Sequence, residues 1–301
     1  MKKAVVTGGA GFIGSNLAHA LVSDGWDTHL IDIDPAFRRD TLPKEAKLHE
    51  VDIRNTADIE AIFSGADVVF HTAAKPRVPY SIDHPVETTD QNITGTVSVL
   101  AAAVKAGVRR VVYSSSSSAY GTQELLPLKV SVAASPIHPY GLQKYAAELF
   151  VGMWPSLYKI ETVSLRYFNV YGPGLDPNGP YALAIGQFVK AKQNGTPITI
   201  YGDGTITRDF THVSDVVHAN MCAATNPKVG RGEAINIGAG RNVSIKTLAE
   251  MFGGEIVYAA PRIEAHDSLA DISLAKELLA WEPKIQLEDG IADLKKLFGV
   301  A

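Results

Sequence analysis

Short apolar runs alternate with longer stretches of helical period over the first two-thirds of the chain. The runs fall at Lys3–Thr7, Thr28–Ile31, Lys47–Val51, Val68–His71, Arg110–Ser114 and Glu161–Tyr167. Between them, apolar side chains recur at three- and four-residue intervals, most clearly over Phe12–Ser23, Thr56–Phe63, Glu87–Ala106 and Tyr140–Met153. The last of these is expected to stop before Pro155, because a proline inside a helix removes a backbone donor. Strands alternating with helices imply βαβ crossovers, and unbroken apolar runs are what parallel strands buried on both faces require. The expected fold is therefore α/β, with a doubly wound parallel sheet.

The texture changes after residue 170. Residues 171–210 are rich in glycine and proline around one helix near Tyr181–Gln193. A helix near Ser214–Ala224 and a strand at Ala234–Gly238 return to the earlier pattern, and 240–301 carries short helical pieces. These shifts predict a nucleotide-binding domain of residues 1–170 plus 211–239. A smaller, largely C-terminal substrate lobe is expected from 171–210 and 240–301.

The 301 residues suffice for that arrangement, and 46% hydrophobic with 20% charged residues is an ordinary globular balance. A net charge of −4 gives no basic excess for a nucleic-acid partner. The single cysteine, Cys222, permits no internal disulfide and reads as a core thiol in a helix. No apolar run approaches the ~18 residues needed to span a bilayer, and none near the N-terminus has the length of a secretory segment. The expected setting is cytoplasmic, where the glycosylation-like triplets at Asn92, Asn194 and Asn242 carry no meaning. His138, His212 and His266 lack ligand spacing and companions, so no metal is expected.

Chemistry enters at two motifs. Thr7-Gly8-Gly9-Ala10-Gly11-Phe12-Ile13-Gly14 joins the first strand to the first helix, with Gly8, Gly11 and Gly14 spaced G-x-x-G-x-x-G. Glycines there allow a tight turn and close approach to a pyrophosphate, which the free N–H groups of the helix start then receive. Asp32, 18 residues past Gly14, ends the second strand, where a carboxylate accepts from ribose hydroxyls and repels a 2′-phosphate. This makes the sheet Rossmann-type and the cofactor NAD, with Arg38 and Arg39 the residues that would argue for NADP. The second motif is Tyr140 and Lys144, four apart at a helix start and so on one face. A cation beside a buried phenol favours the phenolate. Lowering its pKa by ~3 units takes about 4 kcal/mol of differential stabilisation. Lys144 together with a positive nicotinamide ring is the expected source. The serines 114–118 end the preceding strand, where a hydroxyl can share a proton with substrate and Tyr140.

In order along nearly the whole chain, these motifs resemble the extended short-chain dehydrogenase/reductase family, specifically its UDP-glucose and UDP-N-acetylglucosamine 4-epimerases. The resemblance is carried by Thr7–Gly14, Asp52-Ile53-Arg54, His71-Thr72-Ala73-Ala74, Ser114–Gly121 and Tyr140–Lys144. It continues through Arg166-Tyr167-Phe168-Asn169 with Tyr171-Gly172-Pro173-Gly174, and Tyr201–Asp215. It implies that Gly8, Gly11, Phe12, Ile13 and Gly14 hold the NAD pyrophosphate, Asp32 its ribose, and Asp52 and Ile53 its adenine. Ala73, Ala74, Asn92, Ser114 and Tyr167 lie along the rest of the cofactor with Tyr140 and Lys144. It implies further that Ser116 is the catalytic hydroxyl, Tyr140 the base and Lys144 its partner. Asn169, Arg208 and Arg262 then meet the diphosphate of a UDP-sugar. The alternative for Arg208 is a salt bridge to Asp209.

The family hosts several reactions, all begun by hydride removal from C4. Its dehydratases carry Asp and Glu just after the catalytic hydroxyl, and its decarboxylases a Glu one place later. Here those positions are Ser117 and Ser118, which cannot do that acid–base work. Return of hydride to the opposite face, 4-epimerisation, is the reading left. The alternatives are a UDP-glucuronate 4-epimerase or other C4-active enzyme, and a non-catalytic NAD-binding protein. By the resemblance Ser268 is the gate at the sugar's C2 substituent, small enough to admit an N-acetyl group. The chain departs from the family after Arg262, where one residue is missing, so that Glu264 and Asp267 compete for the uridine ribose. A homodimer is expected, with helices 87–106 and 140–153 pairing across a two-fold axis.

Overall fold

The computed structural model describes residues 2–34, 36–179, 183–261 and 267–300. Its centre is a sheet of seven parallel strands. The first six in chain order are β1 (Lys3–Thr7), β2 (Asp27–Asp32), β3 (Lys47–Glu50), β4 (Val68–His71), β5 (Arg110–Ser116) and β6 (Glu161–Tyr167). With the last strand, Arg231–Ile237, they lie side by side in the order Arg231–Ile237, β6, β5, β4, β1, β2, β3. The order reverses between β1 and β4, so a crevice opens beyond their carboxyl ends, where ligands of such sheets bind.

The apolar runs are the central strands. Val5, Val6, Ile31, Val69, Phe70, Val111 and Val112 are inaccessible to solvent. Burying each contributes roughly 1.5–3 kcal/mol. One face packs the helices Phe12–Ser23 and Val213–Thr225 through Leu17, Leu21, Val216 and Ala223. The other packs Thr56–Phe63, Gly95–Lys105 and Pro139–Leu157 through Ile59, Phe63, Val99, Ala147 and Val151. A separate core forms away from the sheet, where Ile185, Phe188, Ile200, Leu248, Phe252 and Ile291 meet.

Three elements depart from expectation. The helix expected to stop before Pro155 runs from Pro139 to Leu157. Pro155 offers no N–H to the Val151 carbonyl, but the Thr162 hydroxyl on β6 donates to it at 2.6 Å and replaces the missing bond. The expected single helix 87–106 is interrupted: Pro85–Thr89 leads into a π-helical turn, Asp90–Thr94, before Gly95–Lys105. Such wide turns gather at functional sites, and this one carries Asn92. Finally, 240–301 does not lie wholly in the smaller lobe. Ala275, Leu279 and Trp281 join the core under the sheet. The Trp281 indole donates to the Asp215 carbonyl at 2.9 Å, and the Asp215 carboxylate accepts from the N–H groups of Lys284 and Ile285 at 3.0 and 3.1 Å.

If the Thr162 hydroxyl is what lets the helix pass Pro155, Thr162→Val should destabilise the protein by about 1–3 kcal/mol, the cost of a buried unsatisfied carbonyl. Urea unfolding would measure it; a loss within about 0.3 kcal/mol of zero would mean that another group satisfies Val151.

Candidate active site

The glycine loop between β1 and Phe12–Ser23 is tight in the places where dinucleotide binding needs it to be. Gly8 has φ +68°, and a Cβ there would lie 2.7 Å from the backbone of Ala73. A Cβ on Gly14 would collide with the Gly8 carbonyl, and one on Gly11 would stand 3.0 Å from the same oxygen. Gly11 caps the helix without a side-chain bond, and no acidic residue occupies the first turn. The N–H groups of that turn are therefore open to an anion. Asp32, at the end of β2, accepts from the Ala10 N–H at 2.9 Å and the Asp34 N–H at 3.2 Å, which folds the loop against the strand end. A backbone cradle that one methyl group would fill, with a carboxylate beside it, fits NAD.

Asp52 and Ile53 follow β3. The Asp52 carboxylate accepts from Nε of Arg54 at 3.0 Å, which holds its pKa down, and Arg54 reaches on to Asp90 at 2.6 Å. Ile53 abuts Gly95, where a Cβ would stand 2.7 Å from the Ile53 Cδ1. Ala73 and Ala74 follow β4, held by Asn92. The Asn92 Oδ1 accepts from the Lys75 N–H at 2.8 Å, and its Nδ2 donates to the Lys75 carbonyl and to Gln143 Oε1, at 3.2 and 2.8 Å. Asn92 thus shapes the loop with all of its amide.

His71 lies beneath that loop. Thr96 donates its hydroxyl to the Asn92 carbonyl at 2.7 Å, so it accepts from His71 Nε2–H at 2.9 Å. His71 Nδ1 then accepts from the Thr7 hydroxyl at 2.7 Å. Burial, with Lys144 near, pushes the imidazole down to about 3, so it is neutral and directional at all ordinary pH.

The catalytic candidates gather at the ends of β5 and β6. The helix Pro139–Leu157 starts on a His138 cap whose Nδ1 accepts from the Gly141 N–H at 3.0 Å. Tyr140 is 9% exposed, and a hydrogen bond joins its hydroxyl to Ser116. Lys144 is buried one turn on, its ammonium donating to the Ser114 carbonyl at 2.6 Å and lying 4.7 Å over the Tyr113 ring. Ser114 shares a 3.0 Å hydrogen bond with the Tyr167 hydroxyl, which Asn220 Nδ2 also meets at 2.8 Å. Position 141 must be glycine because a Cβ would stand 2.5 Å from the Ser118 carbonyl.

In the protein alone, burial decides the electrostatics of this group. Burial pushes the Tyr140 phenol up to about 12, against a downward pull from the Ser116 hydrogen bond. Burial also pushes Lys144 down to about 7, against the Glu148 carboxylate. Lys144 is bonded to the Ser114 carbonyl and does not depress Tyr140 in the protein alone. The expected lowering rests on Lys144 together with a positive ring, and Lys144 alone does not supply it. Glu148 is itself fastened by Arg166 Nε and Nη2 at 2.9 and 2.6 Å and by the Ser115 hydroxyl at 2.6 Å.

On the substrate side, Asn169 follows β6 with φ +25°, a strained value for a non-glycine, and donates to the Asp209 carbonyl at 2.9 Å. Arg208 lies on the strand Thr207–Asp209 and donates to the Thr207 carbonyl at 2.9 Å. The alternative for Arg208, a salt bridge to Asp209, is not formed: Asp209 accepts from the N–H groups of Ala239, Gly240 and Ala270. Ser268 is 9% exposed, its N–H bonded to the Thr207 carbonyl at 3.1 Å and its buried hydroxyl without a hydrogen-bond partner among the described residues. Asp267 accepts from the Thr207 N–H and hydroxyl at 2.7 and 2.8 Å. Arg262 and Glu264 lie outside the described residues. Sequence reasoning assigned no role to Thr96, Gln143, Glu148 or Asn220. The available signal was a polar side chain on an otherwise buried helix face.

A model of the NAD dependent epimerase/dehydratase family matches residues 4–238. A putative UDP-glucose 4-epimerase of Methanocaldococcus jannaschii is 37% identical over 297 residues, covering 95% of each chain. The crystal structure of a Thermotoga maritima UDP-glucose 4-epimerase with UDP-glucose is similar, with a TM-score of 0.92 at 34% identity, over 98% of this chain and 99% of that one. A UDP-N-acetylglucosamine 4-epimerase from Methanobrevibacter ruminantium, in complex with UDP-N-acetylmuramic acid, gives 0.90 at 33% identity, over 98% and 99%.

The depressed Lys144 has a measurable consequence. Between its folded value of about 7 and the unfolded value near 10.5, only the unfolded chain binds the proton, so stability rises with pH across that window. Raising the pH from about 7 to 9.5 should stabilise the cofactor-free wild type relative to Lys144→Met by about 2–3 kcal/mol. Parallel denaturant titrations that keep a constant gap would show that Lys144 titrates normally.

Proposed function

The chain belongs to the NAD dependent epimerase/dehydratase family, and from that premise we propose that it is a UDP-hexose 4-epimerase acting on UDP-glucose and UDP-galactose and on their N-acetylated counterparts. The observation that carries this reading is the pair Ser117 and Ser118 beside a complete Ser116, Tyr140 and Lys144 set. The site holds one proton-transfer group for one carbon. It lacks the neighbouring acids that elimination of water or loss of a carboxyl group would need at those two positions. The Glu148 carboxylate cannot substitute, because Arg166 and Ser115 hold both of its oxygens.

Gly8, Gly11, Phe12, Ile13 and Gly14 would hold the NAD pyrophosphate, Asp32 the adenosine ribose, and Asp52 and Ile53 the adenine. Ala73, Ala74, Asn92, Ser114 and Tyr167 would line the way to Tyr140 and Lys144. When bound, NAD supplies a reversible hydride acceptor for C4. Tyr140 takes the O4 proton through the hydroxyl relay with Ser116 and later gives it back. Lys144, fixed on the Ser114 carbonyl, would hold its proton once a phenolate forms beside it, adding to the positive ring of bound NAD in making that phenolate accessible. Asn169 and Arg208 secure the diphosphate, with Arg262 as a second clamp, while Glu264 or Asp267 meets the uridine ribose. The 4-keto sugar turns about the diphosphate to present its other face. Ser268, small and with an unpartnered buried hydroxyl, is the residue facing the C2 substituent.

A cytoplasmic homodimer is part of the same proposal. No described helix is long and apolar enough to cross a membrane. Leu142, Leu149, Met153 and Leu157 expose an apolar stripe along the helix Pro139–Leu157, with Ile82 and Val86 also exposed just before the π turn. Such a stripe is what helix pairing across a two-fold axis would cover. Light scattering should give a dimer mass, and Leu149→Glu with Met153→Glu a monomer; an unchanged mass would place the interface elsewhere.

Proton NMR of the NAD-loaded protein with UDP-glucose, UDP-N-acetylglucosamine and UDP-glucuronate in separate tubes tests the reaction. The galacto epimers of the first two should appear. Tyr140→Phe should slow that by roughly 10²–10⁴-fold, and Ser268→Tyr should suppress the N-acetylated substrate alone. A 4-keto-6-deoxy sugar or a pentose product would overturn the reading of Ser117 and Ser118. Turnover of the glucuronate alone would transfer the assignment to that sugar.

A further inference from the structure

Asn169, Arg208 and Ser268 come from three separate segments that meet around Asp209. The Asp209 side chain is inaccessible to solvent. Its Oδ1 accepts from the Ala239 N–H at 2.6 Å, and its Oδ2 from the N–H groups of Gly240 and Ala270, both at 3.0 Å. Its carbonyl accepts from Asn169 Nδ2. Arg208 is its chain neighbour, and Ala270 lies two residues past Ser268. The cage is closed by Gly238, where a Cβ would stand 2.9 Å from the Asp209 Oδ2 and collide with Ala270. The carboxylate therefore ties the strand Thr207–Asp209, the loop after the last sheet strand and the segment 267–271 into one unit.

We propose that Asp209 is a positioning residue for the UDP-sugar, setting Asn169, Arg208 and Ser268 in register without touching the substrate. This rests on the epimerase reading for the identity of the ligand. Among the described residues the cage offers three neutral donors and no counter-charge. Burial outweighs those three hydrogen bonds and pushes the carboxyl up to about 6. The ionisable groups on the surrounding segments have other attachments: Arg208 with the Thr207 carbonyl, Asp267 with Thr207, Asp271 with Ser273 and Arg241 with Glu288. His212 accepts from the Ser214 N–H. Protonation of Asp209 removes an acceptor from the cage, so affinity for a UDP-sugar should fall as the pH drops through about 6.

The test uses the NAD-loaded full chain with UDP-glucose. Asp209→Asn keeps the shape but turns one acceptor into a donor facing N–H groups. KM should rise about tenfold or more with kcat changed less than about threefold, and NAD affinity should stay unchanged. Amide exchange at Ala239, Gly240 and Ala270 should quicken. The wild-type KM should rise between pH 7 and 5.5, and the variant should lose that component while retaining any from His212. An unchanged KM in the variant, or a loss of NAD affinity in step with it, would overturn the role. If Asp209→Asn does not fold, the wild-type profile decides alone: a KM flat across that pH range refutes the proposal. A wild type that binds no UDP-glucose refutes the epimerase reading and the substrate role together, whereas binding with an unmoved variant refutes the role only.

Discussion

The contact between the Lys144 ammonium and the Ser114 carbonyl is the one on which the site depends. It crosses from the helix Pro139–Leu157 to the end of β5, and so decides where Tyr140 stands relative to Ser116. A second fastening one turn along, Glu148 to the Ser115 hydroxyl and Arg166, fixes the same helix to β5 and β6. A buried ion pair of this kind adds little net stability against an apolar replacement, but losing one partner costs about 3–5 kcal/mol. Its value here is geometric. Two polar contacts at successive turns leave the helix neither free to slide nor free to rotate.

That geometry has an electrostatic cost. Both reactive groups are held in their neutral-favouring direction, Tyr140 up to about 12 and Lys144 down to about 7, because burial takes both out of water. The protein alone is therefore not poised for proton abstraction. The positive ring of oxidised NAD, bound beside them, would favour the phenolate, and the described residues keep competing charge away. His71 is locked neutral between Thr7 and Thr96, and Glu148 is matched by Arg166.

Parts of this were open to reading in the sequence. Apolar runs located the central strands because parallel strands are buried on both faces, and glycine spacing located the tight loop because no other residue fits beside Ala73 or the Gly8 carbonyl. Tyr140 and Lys144 were legible because helical spacing is fixed. What escaped was whatever depends on a partner remote in sequence. Pro155 looked like a stop, and only Thr162, seven residues later on β6, undoes that. Asp209 entered only as an alternative partner for Arg208, its neighbour in sequence, but a buried carboxylate answers to backbone N–H groups from residues 239, 240 and 270. The tail 272–282 looked like more of the smaller lobe, since its attachment to Asp215 is a tertiary fact.

The placement of strain fits this division of labour. Asn169, with φ +25°, stands where β6 leaves the sheet for the smaller lobe. A residue in that conformation persists only where its surroundings over-determine it, and here two hydrogen bonds do so: its side chain to the Asp209 carbonyl, and the Thr211 N–H to its own carbonyl. Just before it, Tyr167 is bound to Ser114 and Asn220 on the sheet side. Within three residues the chain passes from Tyr167, bonded to Ser114 at the end of β5, to Asn169, the residue proposed for the diphosphate, each held by its own network. A reaction in which one base must serve both faces of a sugar needs that arrangement. In the proposed reaction a base and an anchor held by separate networks, beside the small side chains Ser116, Ser117, Ser118 and Ser268, would leave the turning to the substrate.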